Sequence, residues 1–283
     1  TISHVGGIVS PIEPAIGEFP LPGRERAGAT RVVMSKNDSP NVVRLPEPVK
    51  RGSAGQSPCA ACPVRDLALC SALNDDELTR LNALRLPMDL PHGASAFDEG
   101  EPAEYVYNLT AGYMKLYKLL PDGRRQITGF VFPGDFLGLA SNKEYAHTAE
   151  AVTDASLCKF KRVQLERLFR EMPKLESRLL EISRNELAEA HNQMLLLGRK
   201  SAIERIASFL LMLLKRAETL QLPTDPLEIP MSRNDIGDYL GLTTETVSRT
   251  LTRLKQGGII TLNSDRRISI SAHASLSELA DGF

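Results

Sequence analysis

The sequence predicts an α+β chain: an N-terminal antiparallel β-roll, one long helix and a C-terminal winged helix-turn-helix. Three observations carry this expectation. Between Pro87 and Phe169 short alternating stretches are cut by turn residues, and from Pro173 to Arg199 apolar residues recur at intervals of three and four. Beyond Met231 two helical patterns meet at a glycine and a hairpin follows. Composition agrees with an ordinary folded chain: 283 residues, 42% hydrophobic and 24% charged. A net charge of −1 excludes a chain basic throughout but not a local basic face, and the absence of Trp speaks against a broad stacking platform for single strands. The sequence has no run of about 18 apolar residues and no leader pattern, so no membrane association and a cytoplasmic place are expected. Thiols stay reduced there, so the four Cys read as ligands or buried thiols rather than disulfides.

Residues 1–57 are rich in Pro, Gly and Ser without an apolar period, and are expected to be a disordered extension in which Met34 is a candidate natural start. Residues 58–86 form a cysteine-rich segment that passes into a helical pattern through Leu73, Leu78, Leu81 and Leu84. The roll spans 87–171, with strands such as Tyr105–Leu109, Tyr113–Tyr117 and Gln126–Phe132 between turns at Gly112, Asp122-Gly123 and Pro133-Gly134. A helix over 172–200 carries Leu180, Ser183, Leu187, Ala190, Met194 and Leu197 at the spacing of a two-stranded coiled-coil seam, so a homodimer is expected. The competing reading is a helix packed on its own roll. Residues 201–283 are helical and end in a short hairpin.

Ser232 with Asp235 is a capping-box helix start, Gly237 allows two helices to cross closely, and Gly241 supplies the turn. Thr243 or Thr244 caps the second helix, with Val247 and Leu251 inward. Gly257-Gly258 ends it, and Ile259–Leu262 and Arg267–Ile270 form a wing. Between Thr244 and Arg267 five basic residues face two acidic ones, an excess suited to the phosphates of double-stranded DNA. Arg249 has the fork for guanine O6 and N7. Glu245 can accept from a cytosine amine or simply favour the helix dipole, and Ser248 is short enough to sit beside a thymine methyl.

Cys59, Cys62 and Cys70 are spaced C-x2-C-x7-C, and Cys158 lies in the roll. Four thiolates are the usual complement of a 4Fe–4S cluster. Structural zinc is the rival, although such sites usually show two paired motifs, and an unpaired Cys158 also fits a buried thiol. A cyclic nucleotide needs an Arg for its phosphate, and the stretch from Gly134 to Thr148 has none; Lys143 and His147 are the available substitutes. Haem would draw on His92 and His147. No catalytic or phosphate-loop signature appears, so an enzyme is not expected. An iron–sulfur electron carrier would have no need of the helix-turn-helix.

From about Cys59 to the C-terminus the chain resembles the fumarate-and-nitrate-reduction (FNR) regulators of the cyclic-AMP-receptor superfamily. Glu245-Thr246-Val247-Ser248-Arg249 matches that family's E-x-x-S-R recognition signature. The resemblance implies a cyclic-nucleotide-binding-like β-roll and a 4Fe–4S cluster on Cys59, Cys62, Cys70 and Cys158. It further implies oxygen-responsive activation at TTGAT-N4-ATCAA sites and contact with RNA polymerase, for which the Pro121–Arg125 hairpin is the candidate surface. The seven residues before Cys70 depart from the five of the best-known enterobacterial pattern and resemble α-proteobacterial members. Glu186 and Glu189 flank the seam as a source of like-charge repulsion, whereas Ala190 stands where some members carry an acid.

Overall fold

The structure is a computed structural model that describes residues 58–59, 61–139, 143–264 and 266–282; the expected extension over 1–57, with Met34, lies outside the described residues. Turns carry the chain through the cysteines into a 3-10 turn, Leu69–Ala72, and then α1, Asp75–Ala83. α1 starts at a reciprocal cap, in which Asn74 accepts from the Glu77 amide and Glu77 from the Asn74 amide. Its Leu78 and Leu81 are buried.

Eight strands build the roll: β1 (Leu86–Leu90), β2 (Ser95–Phe97), β3 (Tyr105–Ala111), β4 (Met114–Leu119), β5 (Arg125–Val131), β6 (Phe136–Leu137), β7 (Thr148–Ala151) and β8 (Ala155–Lys161). They form two four-stranded antiparallel sheets, ordered β1-β8-β3-β6 and β2-β7-β4-β5. Leu109, Met114, Ala149 and Ala151 are fully enclosed in a shared core. Gly112 is required between β3 and β4: its φ is +81°, and a Cβ there would lie 2.2 Å from the Asp154 carbonyl oxygen.

The expected roll texture up to Phe169 stops earlier. Arg162–Glu171 is a helix, α2, because Leu165 and Leu168 bury one face while Arg162, Glu166, Arg167 and Arg170 flank them. The long helix α3 then runs Pro173–Arg199 as expected, with Pro in its first turn. Its Leu175 is fully buried, and Leu179 and Ile182 pack with Leu69, Leu73 and Phe160.

The C-terminal domain comprises α4 (Ala202–Thr219), β9 (Leu227–Glu228), α5 (Arg233–Leu240), α6 (Thr244–Gln256), β10 (Ile260–Ser264), β11 (Arg267–Ile270) and α7 (His273–Asp281). The chain therefore closes on a helix, not on the expected hairpin, because Leu276 and Ala280 share a face that is buried in the core with α4. The wing gains a third strand, since β9 pairs with β11. Where α3, α4 and α5 meet, the Arg205 guanidinium donates to three carbonyls: Lys200 at 2.8 Å, Leu240 at 2.8 Å and Leu197 at 2.9 Å.

The helix-turn-helix is docked on its own roll by a buried polar network. Lys115 on β4 donates to Asp235 of α5 at 2.9 Å and meets Glu150 of β7 at 2.9 Å, while Arg125 on β5 reaches Asp235 at 3.0 Å and Asp238 at 2.8 Å. Gln126 donates to the Asp238 carbonyl at 2.8 Å, and Phe130 packs on Tyr239 with ring centres 5.0 Å apart. Burial opposes the charge on Asp235, but the Ser232 hydroxyl and Lys115 outweigh it and hold the carboxyl below its ordinary range. A lowered folded value stabilises above the unfolded pKa and is lost as the pH falls through the folded one, so this contribution disappears on acidification below pH 3.8.

Replacing Lys115 by Met leaves buried carboxylates short of a cation and is expected to cost about 3 kcal/mol in urea unfolding at neutral pH. The deficit should shrink at acid pH, where Asp235 is protonated in both proteins; an equal loss at both pH values would assign the effect to packing.

Candidate DNA interface and cysteine site

α5 begins where Ser232 accepts from the Asp235 amide and ends at Gly241, whose φ of 62° gives the left-handed turn. Gly237 permits the crossing of the two helices, since a Cβ would stand 2.6 Å from the Leu242 carbonyl oxygen. Of the two candidate caps Thr243 is used, accepting from the Thr246 amide at 3.1 Å. Val247, Thr250, Leu251 and Leu254 turn inward, which leaves Glu245, Ser248, Arg249, Thr252 and Arg253 exposed. Glu245 and Arg249 face each other one turn apart at 3.6 Å. The Ser248 hydroxyl donates to the Thr244 carbonyl at 2.9 Å, so its oxygen remains an acceptor toward a ligand.

Of the six expected seam residues, Leu180, Leu187 and Met194 are more than half exposed, and Ala190 is exposed beside them. Ser183 is half-buried and bonds back to the Leu179 carbonyl, and half-buried Leu197 lies against the α5 turn at Gly241. Leu195, which the spacing argument passed over, is as exposed as Met194. Glu189 is not a free negative charge, because Arg216 meets it at 2.9 Å and also reaches Asp135 at 3.2 Å.

All four cysteines are half-buried free thiols. Cys59, Cys70 and Cys158 border one apolar cluster with Leu69, Leu81 and Phe160. Burial first, and then the neighbouring Cys62, Cys59 and Cys158, push the Cys70 thiol up to about 12. Burial likewise raises Cys158 to about 11 against the pull of Arg85. The thiols are gathered without being closed on a point: among the described residues no group of three or more His, Cys, Asp or Glu is arranged to hold a metal ion.

In the stretch considered for a nucleotide phosphate, Tyr145 stacks on Phe97 with ring centres 3.9 Å apart, and Tyr107 lies 5.5 Å from the same ring. Thr148 is buried and accepts from the Glu99 amide. His92 is exposed and engages the Val152 carbonyl at 2.8 Å. In the candidate hairpin Pro121, Asp122, Gly123 and Arg124 are exposed, but Arg125 belongs to the contact with α5.

Residues 87–172 match the family description of a cyclic nucleotide-binding domain, and residues 204–279 that of a Crp-like helix-turn-helix domain. The nitrogen fixation regulation protein FixK of Bradyrhizobium diazoefficiens is 43% identical over 204 residues, 72% of this chain and 86% of that one. The chain belongs to the CRP/FNR family of regulators. The transcriptional activator protein Anr of Pseudomonas aeruginosa, another relative, is 32% identical over 84% of this chain and 98% of its own. Among solved structures, FixK2 from Bradyrhizobium japonicum superposes with a TM-score of 0.65 at 41% identity, covering 69% of this chain and 96% of that one.

Several residues that join the parts of this CRP/FNR chain escaped the sequence. Asn82 accepts from the Cys59 thiol at 3.3 Å and from Arg85 at 3.2 Å. Buried Asn108, opposite Cys158 in the β3–β8 register, accepts from the Leu69 amide at 3.4 Å. Neither lies in a motif, and only the strand register brings Asn108 to the cysteines.

Gly237→Ala is expected to lower stability by about 1–3 kcal/mol, because the added methyl meets backbone rather than a movable side chain. DNA binding should fall with it while the roll stays folded. Thermal unfolding followed through Tyr239, which packs beside this crossing, checks the outcome.

Proposed function

We propose that the protein is an oxygen-responsive transcription activator that binds TTGAT-N4-ATCAA sites as a homodimer while a 4Fe–4S cluster is held by Cys59, Cys62, Cys70 and Cys158. The observation that carries the reading is the gathering of Cys59, Cys70 and Cys158, from the turns before α1 and from β8, at one apolar cluster, with Cys62 near enough to act on Cys70 and Cys158. The donor set fits the group in type and number. Raised thiols are costly to ionise alone, and a metal group that takes them as thiolates repays that cost. Bound there, the cluster supplies an oxygen-labile tie between the N-terminal turns and β8.

The remaining steps belong to the chain. Docking of the turns on the roll fixes the first turns of α3, whose exposed Leu180, Leu187 and Met194 pair with a second copy. Pairing sets two α6 helices about one DNA turn, ~34 Å, apart. Arg249 then reads guanine, and Arg253 and Lys255 meet phosphates. The packed Phe97–Tyr145 stack supports the expectation that no cyclic nucleotide is bound, and the exposed turn before Arg125 suits contact with RNA polymerase. Such a regulator works in the cytoplasm.

Cys158→Ser, purified without air, is expected to lose iron and sulfide together. Full retention of both would remove Cys158 from the ligand set, and stoichiometric zinc in the unsubstituted protein would overturn the cluster reading.

Arg249→Ala is expected to cost roughly 1–3 kcal/mol per half-site in anaerobic titrations and to relax preference at the guanine. Lys255→Ala should weaken all sequences alike and lower the salt slope by about one. Equal loss by Arg249→Ala on the intact and guanine-replaced sites would make Arg249 a backbone clamp.

A further inference from the structure

Arg178 stands in the second turn of α3, outside every motif in the sequence, and its side chain leaves the helix for the cysteine segment. Its Nη2 donates to the carbonyl of Leu67 at 2.8 Å, between Cys62 and Cys70, and its Nη1 meets Glu181 on the same helix at 2.8 Å. Its buried Nε has no hydrogen-bond partner among the described residues. On the other side Leu67 presses on the roll at Gly134, where φ is +99° and a Cβ would come within 2.9 Å of the Leu67 Cβ. The Leu67 peptide is thus gripped between a glycine that yields it room and a guanidinium that belongs to the pairing helix. Arg178 and Leu180 are two residues apart, about 200° around a helix, so the grip and the exposed seam lie on opposite faces.

We propose that Arg178 is the positioning residue through which the state of the cysteine segment sets the orientation of α3 and hence pairing of two copies. The proposal rests on the cluster reading and names the element that transmits it. When the segment is held, Arg178 bridges Leu67 and Glu181 and the helix face bearing Leu175 and Leu179 is fixed against Leu69 and Leu73. When the segment is released, the Leu67 carbonyl leaves and Arg178 keeps only its partner on its own helix. The helix then loses the charged hydrogen bond that ties its second turn to the segment between Cys62 and Cys70.

The test compares dimer dissociation constants of the full chain, with cluster and without, by sedimentation under anaerobic conditions, alongside iron and sulfide content. Arg178→Gln is expected to keep the cluster but to shrink the ratio between the two constants by about tenfold, the worth of one charge-assisted hydrogen bond. Glu181→Gln, which leaves the Leu67 contact, should keep the unsubstituted ratio. Hydrogen exchange in the cluster-bearing protein gives a second readout, with faster exchange at the Ala68 and Leu69 amides in Arg178→Gln alone. An unchanged ratio in Arg178→Gln with the cluster intact overturns the proposal, as does an equal loss in Glu181→Gln, which would reduce the effect to charge on the helix surface. If Arg178→Gln does not assemble the cluster, Arg178→Lys, which keeps the charge and loses the fork, takes its place, and an unchanged ratio with unchanged protection of Ala68 and Leu69 overturns the coupling. Absence of iron and sulfide from the unsubstituted protein would instead overturn the cluster reading on which the proposal stands.

Discussion

Lys115 carries an ammonium to a place where two carboxylates from distant parts of the chain, Glu150 and Asp235, can reach it, with its side chain only 7% exposed. A buried cation of this kind is tolerable only while its partners are present. Asp235 meets that demand while also capping α5, so a single carboxylate holds together the first helix of the DNA-reading pair and its seat on the roll. Arg125 and Gln126 extend the seat to Asp238, and the Phe130, Phe209 and Tyr239 rings close it. Roll and helix-turn-helix are therefore fastened at several points in one protomer. Control of DNA binding by a swing of one against the other would have to break all of them, whereas control through α3 leaves them intact.

The charges near α3 fit the same picture. By sequence, Glu186 and Glu189 stand beside the seam as a source of repulsion between copies. The structure turns Glu189 toward Arg216, which also holds Asp135 of the roll, so that this acid helps seat α3 on its own protomer. The same helix leaves four large apolar side chains exposed, Leu180, Leu187, Met194 and Leu195.

The parts legible in the sequence are those whose conformation is fixed locally. Ser232, Gly241 and Thr243 announce helix ends because their side chains, or the lack of one, act on amides within three residues. The α3 period was legible because one face of the helix is left without cover. Cys158 was noticed because a fourth cysteine is chemically conspicuous, yet its neighbour Asn108 was not, since only strand register joins them. Lys115 and Arg178 read as ordinary surface cations, and nothing near them in the chain tells that their partners lie 120 and 111 residues away. α2 and α7 were missed for a related reason: each is short, and its apolar face has meaning only against a surface built elsewhere.

The Arg205 junction has a consequence for measurement along DNA. Two carbonyls from the end of α3 and one from the end of α5 converge on one guanidinium of α4, so the far end of the long helix is joined stiffly to the DNA-reading pair. α3 has 27 residues, a lever of about 40 Å. In a pair of such chains, each protomer moving as one body with its fastenings intact, a change of roughly 5° between the two α3 helices displaces the far end by about 3.5 Å, close to the ~3.4 Å between successive base pairs. Under the proposed pairing, small angles between the two helices near their first turns are enlarged into whole steps of the double helix at the DNA-reading pair, as the jaws of a caliper enlarge a movement at its hinge.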